Sequence, residues 1–147
     1  MTMTSASAAA SATASLSLAA ETGIAASVFD AAALLLPHLE RGQRVDAVTL
    51  RSAMESAFGA SDATGAWDWK TAYEACEAAT VLFIRKYGKA LLRQAGSPAD
   101  SLPLLTRIAL LLPTHTRRSE EAQTFQQFST PIPLGFAAVT AAAITPA

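Results

Sequence analysis

Charge is scarce in this sequence and unevenly placed. Charged residues make up 16% of the 147 positions, and all of them lie between Glu21 and Glu121. The net charge of −1 excludes a uniformly basic nucleic-acid binder and a strongly acidic tail protein. The single cysteine, Cys76, excludes an internal disulfide framework and a cysteine-rich zinc site. The seven glycines are scattered singly, so there is no glycine-rich phosphate loop. No arginine precedes Arg41, and no basic start leads into a continuous apolar run. That pattern argues against a mitochondrial transit peptide and a secretory signal.

What is abundant is alanine, with 34 residues, inside a composition that is 51% hydrophobic. Alanine has the highest helix propensity, and no segment shows strand-like alternation. The expected fold is therefore all-α, an irregular bundle of five or six helices, in a soluble cytoplasmic protein. Residues 1–20 contain only Ala, Ser, Thr, Met and Leu and are expected to be a disordered tail. Residues 21–121 form the helical domain, and 122–147 form a separate, charge-free end. That end carries Phe125, Phe128, Ile132, Leu134, Phe136, Val139 and Ile144 and is apolar enough to need burial. It either packs back on the chain's own helices or awaits a surface supplied from elsewhere. Its longest apolar run, Leu134 to Ile144, is too short to cross a membrane, and no membrane partner is expected.

Periodicity places a first helix from about Thr22 to Glu40, with Pro37 as a kink or early end and Gly42 as a stop. Asp46 caps a second helix that runs through Phe58, with Gly59 closing it. Its apolar stripe is Leu50, Ala53, Met54, Ala57 and Phe58. Residues 60–65 form a polar turn. The third helix spans about Trp67 to Leu92, with an interruption expected near Gly88. Trp69, Tyr73, Cys76, Thr80, Phe83, Ile84 and Tyr87 share one of its sides. Ser97 and Pro98 open a fourth helix that Pro113 ends. A short segment at about Ser119–Gln127 and a last helix from about Pro133 to Ala143 complete the bundle.

Few residues invite chemistry. Cys76 falls on an apolar face and reads as a buried structural thiol. His38 and His115 lack neighbouring ligands, so no metal site is expected. Trp67-Asp68-Trp69 reads as an aromatic anchor at a helix entry rather than a base-stacking platform. Residues 81–118 hold seven bases and one acid. Within them Arg85, Lys89 and Arg93 line one helical face, with Lys86 beside them, and Arg117-Arg118 follow further on. Two readings stand: compensation of a helix C-terminus by a solvated face, or a phosphate-tracking ridge. No nucleophile–base pair or paired carboxylates are visible, so no catalytic residue is assigned.

The C-terminal part carries a family likeness. Gln126-Gln127-Phe128-Ser129-Thr130-Pro131-Ile132-Pro133-Leu134 resembles the Gln-Phe-Ser/Tyr-Thr-Pro element that precedes the catalytic core of many S-adenosylmethionine-dependent adenine DNA methyltransferases. From Trp67-Asp68-Trp69-Lys70 through Leu112-Pro113-Thr114-His115-Thr116 to Pro146-Ala147, the chain is similar to the N-terminal region of the large bacterial strawberry notch-like proteins. Those combine a methyltransferase-like domain with a superfamily 2 helicase domain. The likeness covers residues 24–147 and is most specific in the last 35.

The resemblance implies that residues 122–147 begin a truncated α/β methyltransferase domain. Phe128 would pack beside the methionine moiety of S-adenosylmethionine, and Ser129 and Thr130 would face its carboxylate. Pro131 and Pro133 would fix the turn, with the positive end of the helix from Leu134 aimed at the same group. The family's glycine-rich cofactor turn, ribose-binding acid, Asn/Asp-Pro-Pro-aromatic motif and helicase nucleotide loop do not occur in these 147 residues. The chain is thus expected to neither methylate DNA nor hydrolyse ATP alone, with DNA and the missing domains as the parent protein's partners. Without the resemblance, the residues read as a stand-alone helical module that binds nucleic acid or protein.

Overall fold

A computed structural model describes the backbone of residues 5–113 and 130–142, and side chains from residue 20 onward. Among the described residues the fold is all-α. Its helices are α1 (Ser5–Glu40), α2 (Ala47–Phe58), α3 (Trp69–Ala95), α4 (Pro98–Ala109) and α5 (Ile132–Ala141), with a 3-10 turn at Asp62–Thr64 and no strand. The segment expected at about Ser119–Gln127 lies outside the described residues.

The helical backbone of α1 begins at Ser5, well before the expected start near Thr22. Its packing begins much later: residues 20–26 are exposed, and full burial starts at Ala31 and Ala32. Pro37 does not end the helix. It removes only the N–H that would reach the carbonyl of Ala33, a residue on the exposed side where water can substitute. The stop comes at Gly42, whose φ of 65° lets the Gly42 and Gln43 N–H groups fold back on the carbonyls of Leu39 and His38. Ala20–Glu40 is long and apolar enough to cross a membrane by length and composition alone. Here the Ala31–Leu35–Leu39 side forms the bundle core, and Asp30 is exposed midway along the helix.

The expected bounds of α2 hold. Asp46 Oδ1 accepts from the Thr49 N–H at 2.8 Å, and Gly59 takes the left-handed conformation. Asp68 caps α3 in the same way, accepting from the Thr71 N–H at 2.8 Å. The helix then runs unbroken past Gly88, which costs propensity but leaves the backbone ladder intact. Ser97 caps α4 and Pro98 starts it, as expected, but the helix ends at Ala109, ahead of Pro113.

The core is built by α1, α2 and α3, with α4 laid over the distal part of α3. Leu35, Val45, Leu50 and Met54 are its largest fully buried side chains. Cys76, Thr80 and Phe83 are buried and Trp69, Tyr73, Ile84 and Tyr87 half-buried, so the apolar stripe of α3 is confirmed. Its innermost members are smaller than the pattern suggested. Ala72, Ala75 and Ala79 have no exposure at all, and neither do Ala31 and Ala32 on α1. Small residues on both helices permit close approach of their axes, since that separation depends on the side chains between them. The loop after α1 is fixed by Val45, whose N–H donates to the Leu111 carbonyl at 2.7 Å.

Candidate functional site

The outer face of α3 carries the basic residues singled out by the sequence. Arg85, Lys89 and Arg93 recur every fourth residue, are all exposed, and form no ion pair among the described residues. They make a stripe along one side of the helix, with about 6 Å of rise between members. Arg93 lies in the last turn of α3, where a cation also offsets the carbonyl end of the helix.

Lys86 is not a member of that stripe. It lies about 100° further round the helix, and its ammonium donates to Glu40 Oε1 at 2.6 Å while standing 5.1 Å from the Tyr87 ring centroid. Tyr87 Oη donates to the same carboxylate oxygen at 2.9 Å. These two hydrogen bonds, Lys86 first, hold the Glu40 carboxyl below its ordinary range, and the carboxylate in turn raises Lys86. The cluster joins the end of α1 to α3. Arg117 and Arg118 lie outside the described residues.

The aromatic anchor takes the structural role expected of it. Trp67 is buried, and its indole N–H donates to the Ala60 carbonyl at 2.8 Å. Its ring meets Trp69 edge-on at 5.9 Å, and Arg51 stacks on Trp69 while pairing with Asp62 at 3.2 Å. Trp67 is thus buried and Trp69 half-buried beneath the Arg51 guanidinium. Burial pushes the Cys76 thiol up to about 12, which keeps it protonated and inert at neutral pH.

Of the cofactor-facing element, Thr130 and Pro131 are described and exposed, whereas Phe128 and Ser129 lie outside the described residues. Pro131 precedes α5 and makes no side-chain cap. The Leu134 and Gly135 N–H groups both donate to the Pro131 carbonyl, at 2.9 and 3.0 Å. Pro133 has no N–H, so the first turn of α5 leaves one donor, on Ile132, for an anion.

Concavities among the described residues are slight. A shallow groove of about 370 Å³ between α1 and α2 is lined by Leu34, His38, Val48, Thr49, Ser52 and Ser56. The Ser56 hydroxyl is spent on the Ser52 carbonyl at 2.8 Å, and no base reaches it. A small, partly open apolar space of about 60 Å³ lies between α3, α4 and Phe136 of α5. No cluster of metal-ligating side chains occurs among the described residues. Compared with protein-family models, curated proteins and solved structures, the chain matches none.

Proposed function

We propose that this chain is the N-terminal helical segment of a strawberry notch-like, S-adenosylmethionine-dependent DNA methyltransferase/helicase acting in the cytoplasm. In that role it contributes the first cofactor-facing element, Phe128 to Pro131, to a domain completed by other residues, and it is inactive alone. The observation that supports the reading is the uncovered apolar surface beside that element. α5 follows Thr130 and Pro131 directly, is free of charge, and leaves Leu134 63% and Val139 46% exposed. Such a surface suits burial against a further layer.

The test is the intact mass of the native product, detected with an antibody against α3. The expected result is a species far larger than 15.3 kDa. A native product of 15.3 kDa overturns the reading, as does methyl transfer by the purified chain that Phe128→Ala abolishes.

A second reading, a stand-alone nucleic-acid-binding module, draws on the unpaired Arg85/Lys89/Arg93 stripe. It requires duplex binding that weakens steeply with salt and is lost on charge reversal of these three residues.

A further inference from the structure

The stripe is half of a longer pattern on α3. Val81, 57% exposed, lies on the side of the helix opposite buried Ala72, Ala79 and Phe83. On the N-terminal side of Val81 the outer face carries Glu74 and Glu77, and on the C-terminal side Arg85 and Lys89. All four are exposed, and none forms an ion pair among the described residues. From Glu74 to Lys89 the face is acidic, then apolar, then basic, with the exposed base Lys70 one turn before Glu74.

We infer that this face pairs with the same face of a second copy of the chain, the two α3 helices running antiparallel and crossing at Val81. The spacing fits a two-fold arrangement. Glu77 and Arg85 each lie four residues from Val81, about 6 Å along the axis, so each comes level with the other in the facing helix. Glu74 and Lys89 lie seven and eight residues from Val81 but on opposite sides of the crossing, so they flank the Glu77–Arg85 pairs as outlying charges and do not pair directly. The two-fold axis makes every pair occur twice and places Val81 against Val81. Nucleic acid accounts for Arg85 and Lys89, but leaves Val81 and the two glutamates without a role. One helix face is a small interface, so the association is weak and concentration-dependent.

Sedimentation equilibrium of the full chain tests this. The expected result is a monomer–dimer equilibrium that shifts to monomer between about 0.1 M and about 1 M salt, as the screening length falls from about 10 Å to about 3 Å. Glu74→Lys/Glu77→Lys and Arg85→Glu/Lys89→Glu are each expected to be monomeric alone and to form a heterodimer when mixed. Far-UV circular dichroism checks that each double variant stays folded. A wild-type chain that stays monomeric at millimolar concentration overturns the inference. So does a dimer that survives both double substitutions, or a folded pair of variants that fails to associate on mixing. A monomer that binds duplex DNA through Arg85 and Lys89 returns those residues to the nucleic-acid reading.

Discussion

α2 and α5 are helices of similar length with opposite outcomes. α2 carries Arg51, Glu55 and several hydroxyl side chains, yet it buries Leu50 and Met54 completely. α5 has no charged residue and buries nothing to the same degree; Ile132 is only half-buried, as is Phe136 against α3 and α4. The difference lies in arrangement rather than in hydrophobicity. α2 gathers its apolar residues on one stripe and its polar residues on the other, so one orientation satisfies both. α5 is apolar all round, so any single contact leaves another apolar side in water. A chain-wide hydrophobicity scale ranks these helices in the wrong order for burial.

The comparison can be broken most directly by truncating one large side chain in each helix. Leu50→Ala is expected to cost about 2–5 kcal/mol, from lost transfer energy plus a cavity. Leu134→Ala should stay within about 0.5 kcal/mol of wild type. Urea melts of both variants decide it, and equal losses would mean that α5 is part of the core. Overpacking comes next. Ala75→Leu, at a site with no exposure, is expected to cost about 1–3 kcal/mol, whereas Ala138→Leu on exposed α5 should be close to neutral.

Caps and pH sharpen the contrast at smaller amplitude. Asp68→Ala removes the bond to the Thr71 N–H and should cost about 1 kcal/mol. Asp46 and Asp68 are held below the ordinary carboxyl range chiefly by those capping N–H bonds, and Glu40 chiefly by Lys86. A carboxyl lowered by folding stabilises the protein above its unfolded value, and this contribution is lost as pH falls through the folded one. The melting temperature should therefore be flat near neutrality and fall below about pH 4. α5 carries no titratable side chain, so amide exchange there, corrected for intrinsic rates, should change less across this interval than exchange at the starts of α2 and α3.

Where a helix boundary depends on neighbouring residues, it could be read in advance. Asp46, Gly59, Ser97 and Pro98 act within one turn of their own positions, and α2 and the start of α4 follow from them, whereas α3 begins at Trp69 with Asp68 as its cap, two residues after the expected start at Trp67. The end of α4 at Ala109 and the unbroken passage of α3 through Gly88 were not legible, because local propensity pointed elsewhere in both places. The buried alanines of α3 were hidden among 34 alanines, because composition does not say which of them face a neighbour. The basic stripe was legible from its four-residue spacing. The departure of Lys86 from it was not, since Glu40 lies 46 positions away in sequence. Of the cofactor-facing element, Thr130 and Pro131 fall among the described residues.

The bond from the Val45 N–H to the Leu111 carbonyl closes a long loop of chain, with Leu112 buried beside it. Closing such a loop costs entropy before any contact repays it, so this junction forms late. During vectorial synthesis the first three helices emerge while Val45 still lacks its acceptor and the Leu112 site is vacant. The nascent bundle stays incompletely sealed until the end of α4 has left the ribosome. The Val45 N–H thus has no acceptor until Leu111 is available to it, whereas the contacts of α1 with α2 and α3 need nothing beyond α3.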